Sequence, residues 1–193
     1  MAKGDYSKEL DVAIQDADAL LPGKKSSIPI MKFISSAESN YGKYNPETAL
    51  SYGPFQIDPI RYFDIAQNPK RVNKSRIDEV NTFLREKFKN PTFDISKLAT
   101  YNPSTKGYDN VNLEMMRNPH VGAMLTRMAL MQDPGALPDE KGLGSYYESF
   151  WGPKWSQSDN EAEKAEKRID AQGRYDKVKM MDSVVTEQGS EAF

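Results

Sequence analysis

The chain has 193 residues, including one histidine and no cysteine, and its 26 basic and 28 acidic residues give a net charge of −2. The lack of cysteine excludes a disulfide scaffold, a thiol nucleophile and a cysteine-ligated metal site, and His120 alone cannot supply two histidine ligands. The near-neutral charge gives no overall electrostatic reason to expect binding to nucleic acid or to an anionic membrane. Carboxylates, hydroxyls and amides are the functional groups available in quantity.

The first 26 residues predict an N-terminal arm. Apolar residues recur at helical spacing between Leu10 and Leu20, and Pro22 and Gly23 end the pattern. We expect an amphipathic helix that docks on the body of the protein or on a partner. Acidic residues interrupt the apolar core that a secretory signal needs, so we expect no signal peptide. No apolar run approaches the roughly 18 residues that span a bilayer.

Residues 27–41 predict a firmer helix. Ser27 is placed to cap it, Pro29 suits its first turn, and apolar residues from Ile30 to Tyr41 form one stripe. Between residues 44 and 59 the helical period gives way to turn-forming residues around short β-like pieces. We expect a small hairpin or an irregular pair of loops there.

Helical patterns resume after this segment. Residues 59–66 and 75–88 predict two scaffold helices, and 101–110 predict a loop rich in Asn, Pro, Ser and Gly. The stretch 111–132 is the most apolar in the chain, and Pro119 indicates a break, with Asn118 as the cap of the second part. A compact aromatic segment, GLGSYYESFW, follows at 142–151.

The composition changes after Trp155. Residues 156–193 contain nine acidic and six basic residues and little apolar material. This pattern predicts a solvated helix or a partner-binding tail, with a tendency to disorder.

Glu38 is the candidate for chemistry. It lies at the border of the apolar stripe and near the C-terminal end of its predicted helix. Partial burial and the negative end of the helix dipole both favour the protonated form of a carboxyl group, so we expect a raised pKa. A carboxyl group that is protonated near neutral pH can protonate a glycosidic oxygen.

Four segments carry a family resemblance. They are Glu38-Ser39, then Gly53-Pro54-Phe55-Gln56-Ile57 with Pro59, then Asn118-Pro119 with Gly122-Ala123, and finally the segment from Tyr146 to Pro153. They resemble the motifs of lytic transglycosylases related to goose-type lysozyme, over about residues 28–155. The last segment departs from the family's usual Ala-Tyr-Asn and is similar to a Tyr-x-x-x-Phe-x-Gly-Pro version in phage members.

The resemblance implies a mainly α, lysozyme-like single domain over 27–155, with a small β-hairpin lining a cleft and arms at 1–26 and 156–193. It also implies an enzyme that cleaves the β-1,4 bond between N-acetylmuramic acid and N-acetylglucosamine. In this family one glutamate, here Glu38, acts first as acid on the glycosidic oxygen and then as base on the muramyl 6-hydroxyl, which closes a 1,6-anhydro ring. That chemistry needs no metal and no cofactor.

The resemblance further implies a substrate-binding set around Glu38. Ser39 would orient Glu38 or hold an N-acetyl group, and Gln56 would hydrogen-bond the sugar or Glu38. Phe55 would form an apolar wall. Tyr146, in preference to Tyr147, would sit over the site with its hydroxyl near Glu38.

Two alternatives stay open. A hydrolase would need a second carboxylate roughly 5 to 10 Å from Glu38, and Glu47 and Asp58 are the candidates. A structural phage tail or core protein would keep the fold without activity. In either active form we expect the protein to be carried in a phage particle and to act on peptidoglycan in the host periplasm or wall. Other virion proteins would bind the arms 1–26 and 156–193.

Overall fold

The computed structural model of the protein describes residues 7–42, 51–133, 135–151 and 160–190. This part of the chain is mostly helical and has one two-stranded antiparallel sheet, which confirms the mainly α class. In chain order the helices are α1 Ser7–Leu20, α2 Ile28–Ser39, α3 Pro59–Ala66, α4 Lys74–Phe88, α5 Leu113–Arg117, α6 Pro119–Gln132, α7 Leu143–Tyr146 and α8 Glu161–Ser190, and the strands are β1 Thr100–Asn102 and β2 Gly107–Asp109. No helix in these ranges is long and apolar enough to cross a bilayer.

The predicted N-terminal helix exists as α1, and it docks on the body of the protein by packing against α6. Leu10, Ala13, Ile14 and Ala17 have no exposed surface. From residue 7 onward the segment is therefore part of the core, which corrects its description as an arm separate from the domain. Residues 1–6 lie outside the described part.

Hydrogen bonds stabilise the segment that connects α1 to α2. The Asp18 carboxylate accepts hydrogen bonds from the backbone N–H and the hydroxyl of Ser27, at 2.8 and 2.7 Å. The buried Arg127 of α6 donates from Nε to the carbonyl oxygen of Leu21 at 2.8 Å. These contacts cross the predicted boundary at residues 26 and 27, so that boundary does not separate two folding units.

Helix α2 is the central element of the fold. It packs against α1, α6, α7 and α8, and the buried side chains from Ile30 to Ser36 cover nearly its whole circumference. Asn40 ends the helix in the left-handed conformation, with φ of 49°, and its N–H closes the last turn. The end of α2 is thus set by packing on every side and by a defined cap.

The β-hairpin lies elsewhere than predicted. Strands β1 and β2 occupy most of the segment expected to be a loop, with Thr100 opposite Asp109 and Tyr101 opposite Tyr108. Asn, Pro and Ser supply the tight connection between them, a composition that serves a hairpin as well as a loop. The segment predicted as a hairpin contributes one bridge, Tyr52 to Ile57, and its residues 43–50 lie outside the described ranges.

The scaffold helices follow the prediction closely. Asp58 and Asn73 cap α3 and α4 with their side chains. Asn118 caps α6 through its side-chain oxygen, which accepts from the N–H of His120 at 2.9 Å, and Pro119 is the first residue of that helix. His120 is buried.

The C-terminal segment contributes to the core, contrary to the prediction of a solvated tail. Helix α8 packs on α2 through Ala171, Tyr175 and Val178, which are 2%, 3% and 6% exposed. The Tyr175 ring lies 5.6 Å from the Phe33 ring, centroid to centroid. Three apolar residues spaced four and three apart form a narrow buried stripe that composition alone does not reveal. Most of the other residues of α8 between Glu161 and Met180 are exposed.

Removing the Tyr175 ring tests whether α8 is part of the cooperative fold. We expect Tyr175→Ala to lower the free energy of unfolding by about 3 kcal/mol, because the substitution leaves a cavity against α2. Urea denaturation measures the change. The control is Ile169→Ala on the exposed face of the same helix, where Ile169 is 74% exposed and the expected change is within about 0.5 kcal/mol. Equal effects of the two substitutions would show that α8 does not stabilise the fold.

Candidate functional site

Glu38 lies in the last turn of α2 and is half-buried. Its Oε1 accepts a hydrogen bond of 2.6 Å from the hydroxyl of Tyr147. Because the rest of α2 is packed on all sides, the position of this carboxylate is fixed by the core. The site therefore has a rigid base.

Tyr147 begins a π-helical turn, Tyr147–Trp151, that follows α7. Its side chain is 2% exposed, and its ring lies 5.7 Å from that of Phe33. Burial, and then the charge of Glu38, raise the pKa of Tyr147 well above the usual tyrosine value. The group therefore stays a neutral phenol that keeps its proton and donates a hydrogen bond to Glu38.

Arg61 on α3 is another charged group of the site, and it was not among the site residues predicted from the sequence. Its guanidinium lies 3.9 Å from the centre of the Trp151 ring and donates to the carbonyl oxygens of Phe150 and Trp151 at 3.1 and 3.3 Å. Burial lowers the pKa of Arg61, whereas the charges of Asp58 and Glu38 raise it. The one sequence signal was a cation in the first turn of a helix, where the dipole disfavours it.

Ser39 joins the end of α2 to the turn at residues 53–56. Its hydroxyl lies 2.9 Å from the carbonyl oxygen of Ser35 and 2.8 Å from that of Pro54, and it accepts from the N–H of Gly42 at 2.8 Å. Ser39 is 1% exposed. It orients the helix end that carries Glu38, and it does not reach a position where it would hold an N-acetyl group.

The second motif forms a tight turn closed by the Tyr52–Ile57 bridge. Gly53 has φ of +77°, a conformation that strains other residues, and a Cβ there would lie 2.7 Å from the carbonyl oxygen of Met116. Both the backbone conformation and the lack of space therefore require glycine at this position. Gln56 also has a positive φ, of 47°, and its amide nitrogen donates to the Gly53 carbonyl at 2.7 Å. Gln56 thus stabilises the turn, and its contact with a sugar stays a prediction.

Phe55 has no exposed surface, so it is not the apolar wall that the resemblance implied. It packs over Gly122 on α6, where a Cβ would lie 3.0 Å from the Phe55 ring. The third motif therefore supports the second one through a close helix-to-turn contact. Phe55 is a core residue of the site's foundation.

The structure reverses the expected preference between the two adjacent tyrosines. The hydroxyl of Tyr146 donates to Asp133 at 2.6 Å, and its ring lies 5.5 Å from that of Phe150. Tyr147 is the tyrosine that contacts Glu38, which corrects the preference for Tyr146. Successive residues on a helical turn point about 100° apart, so the choice depends on how the turn is rotated against α2.

The candidates for a second carboxylate are Asp58 and Glu47. Asp58 caps α3, accepting from the N–H of Arg61 at 2.9 Å, and its other oxygen is 4.0 Å from the Arg61 guanidinium. Asp58 is therefore occupied by Arg61 and by the helix end. Glu47 lies outside the described residues.

A groove of about 830 Å³ adjoins the site. Arg61 and Phe150 are among the residues that line it, and residues of α3, α4 and α6 form its walls. Within the described ranges, no three acidic or histidine side chains come close enough to one another to hold a metal ion. The polar groups shown to act on Glu38 include the Tyr147 phenol and the Arg61 guanidinium.

Comparison of the chain with protein-family models, with curated proteins and with solved structures found no match.

The Gly53 turn provides a test of the site's foundation. We expect Gly53→Ala to lower the free energy of unfolding by about 2 kcal/mol, because alanine is strained at this φ and its Cβ meets backbone. Urea denaturation measures the change.

The control is Gly173→Ala, on the exposed face of α8, where a Cβ meets nothing within 4 Å. There the loss of backbone freedom in the unfolded chain is expected to raise the free energy of unfolding by about 0.5 to 1 kcal/mol. A neutral Gly53→Ala variant would contradict the turn geometry.

The Tyr147 contact predicts a pH dependence of stability. The folded protein retains the Tyr147 proton at a pH where the unfolded chain loses it, so the free energy of unfolding falls as the pH rises above about 10. We expect Tyr147→Phe to remove up to about 1.4 kcal/mol per pH unit of that fall. Urea denaturation between about pH 9 and pH 11 measures the slope.

The other tyrosines with raised pKa values, Tyr62, Tyr108 and Tyr146, are unchanged in the variant and contribute equally to both proteins. Tyr101→Phe is the matched control, because the hydroxyl of Tyr101 on β1 forms no hydrogen bond in the described part of the chain. Identical slopes for the wild type and Tyr147→Phe would contradict the assigned environment of Tyr147.

Proposed function

We propose that this protein is a peptidoglycan lytic transglycosylase with a lysozyme-like fold and that Glu38 is its acid and base. The observation that carries the proposal is the meeting of the Glu38 carboxylate with the Tyr147 hydroxyl at 2.6 Å, at a helix end braced by the Gly53–Ile57 turn. Segments that resemble four separate family motifs thus contact one another. The Glu38-Ser39 segment contacts both the turn at 53–57 and Tyr147, and that turn packs on the helix that contains Gly122.

The proposed reaction needs one carboxyl group. Glu38 protonates the glycosidic oxygen, the bond from that oxygen to muramyl C1 breaks, and the N-acetylglucosamine side leaves with a free 4-hydroxyl. The Glu38 carboxylate then takes the proton of the muramyl 6-hydroxyl as that oxygen bonds to C1. The proton count returns to its starting value, and no water is consumed.

Tyr147 and Arg61 would serve this cycle as positioning groups. The Tyr147 hydroxyl holds Oε1 of Glu38 at 2.6 Å and so orients the carboxyl group for proton transfer. The Arg61 charge acts on the carboxylate that forms when Glu38 has given up its proton. Because Arg61 is held by the Phe150 and Trp151 carbonyls, its charge stays in place through the cycle.

A hydrolase would use a second carboxylate to activate water. Asp58 is committed to capping α3 and to Arg61, which favours the single-carboxylate route. The Tyr146-to-Pro153 resemblance supports a setting in a phage particle that opens the host wall. The docking of α1 and α8 on the body leaves their exposed faces for contacts with other virion proteins.

Glu38→Gln is the direct test of the proposal. We expect the variant to release anhydromuropeptides from purified murein at least about 100-fold more slowly than the wild type, because glutamine can neither give nor take the proton. Mass spectrometry of the soluble products measures the release.

The matched control is Glu79→Gln, which changes an exposed carboxylate on α4 and is expected to leave the rate unchanged. Thermal unfolding of both variants checks that they are folded. A wild type that releases only reducing ends would favour the hydrolase. Equal release by the wild type and Glu38→Gln would exclude Glu38 as the catalytic residue, and no release by the folded wild type would support the structural alternative.

A further inference from the structure

The groove beside the Glu38 site has an unusual distribution of charge. Two of its acids are matched by arginines: Asp64 pairs with Arg71 at 3.0 Å, and Asp58 lies 4.0 Å from Arg61. Arg76 and Asp133 also line the groove, and neither of them forms an ion pair with another described residue. The groove thus presents one unmatched cation and one unmatched anion.

Arg76 lies where a positive charge is unfavourable within the folded protein. It is in the first turn of α4, which contains no acidic residue, and the helix dipole there is positive. Its charge also acts on the buried Arg127: burial lowers the pKa of Arg127 most, Asp18 raises it, and Arg76 lowers it again. An anion bound at this end of the groove would relieve both repulsions.

Asp133 is held in place by neutral donors. One carboxylate oxygen accepts from the Tyr146 hydroxyl at 2.6 Å and the other from the Gly135 N–H at 3.0 Å. These contacts orient the carboxylate without neutralising it, so its charge is available to a bound cation. Gln132, next to it, is fixed by donating to the Asp64 carbonyl oxygen at 3.1 Å.

The volume and position of the groove indicate the size of a ligand. At about 830 Å³ it is within the range of sites that enclose a short peptide or a drug-sized molecule. Arg61 and Phe150 connect it to the Glu38 site, because Arg61 both lines the groove and acts on Glu38. A substrate held at Glu38 can therefore extend a side branch into the groove.

We propose that this groove binds the stem peptide of peptidoglycan, with Arg76 receiving a free carboxylate of the peptide and Asp133 its free ammonium group. Stem peptides branch from the muramyl unit and carry both charges where they are not cross-linked. The inference rests on the proposed function for the identity of the glycan, and it assigns a second recognition site for the same substrate.

Binding of an isolated stem peptide tests the groove without any cleavage. The probe is the tripeptide N-acetyl-L-alanyl-γ-D-glutamyl-meso-diaminopimelate, titrated into the full chain by calorimetry; its acetyl group replaces the muramyl lactyl amide, so that its free ammonium group is the one on diaminopimelate. We expect Arg76→Gln and Asp133→Asn each to raise the dissociation constant about tenfold or more, because each removes a charge-assisted contact. A tripeptide with blocked amino and carboxyl groups is expected not to bind, which distinguishes zwitterion recognition from general peptide adhesion.

Lys74→Gln is the matched control, since Lys74 is an exposed cation in the same first turn and does not line the groove. We expect its dissociation constant to match that of the wild type. Thermal unfolding checks that both groove variants are folded. Absence of tripeptide binding by the wild type, or equal binding by the wild type and both groove variants, would overturn the inference.

A second measurement separates this inference from the proposed activity. We expect the ratio of cleavage rates on intact murein and on peptide-free glycan strands to fall at least about fivefold in Arg76→Gln. Tripeptide binding without cleavage of either substrate would support the groove and contradict the lytic activity. Cleavage without tripeptide binding would support the lytic activity and contradict the groove as a peptide site.

Discussion

The burial of α2 is the constraint on which the rest of the structure depends. This helix packs against α1, α6, α7 and α8, and its last turn carries Glu38. A carboxylate at the end of such a helix cannot shift without disturbing the core, so other groups must be brought to it. The Ser39 hydroxyl holds the Gly53 turn beside the end of α2. The packing of Phe33 on Tyr147 holds the π-helical turn there.

Each segment that resembles a family motif therefore has a structural role as well as a proposed chemical one. Gly53 and Gln56 shape a turn that fits against Met116, and Gly122 allows Phe55 to lie close to α6. Arg61 links this assembly to the groove through its contacts with the Phe150 and Trp151 carbonyl oxygens. The groove and Glu38 are thus connected by one buried cation.

Local signals made much of the fold predictable. Asp58 with Pro59 and Asn118 with Pro119 mark helix starts by chemistry that acts within a few residues, and both starts are confirmed. The docking of α8 was not predictable, because Tyr175 is buried by a helix far away in the chain. The hairpin was misplaced because the two candidate segments share the same turn-forming residues.

The site was predictable in its segments and less so in its contacts. The choice of Tyr147 over Tyr146 depends on the rotation of a short turn, and Arg61 is identified by long-range contacts with residues about 90 positions later. Ser39 and Phe55 belong to motifs, yet their side chains are buried. A motif marks the residues that build a site, and only the packing separates those that face a ligand from those that support them.

Digestion of murein in ¹⁸O-labelled water tests the central claim most directly. If Glu38 works alone as acid and base, ring closure uses the muramyl 6-hydroxyl, and mass spectrometry will find anhydromuramyl ends without ¹⁸O. Labelled reducing ends as the main product would mean that water attacks C1, and this result would contradict the single-carboxylate account.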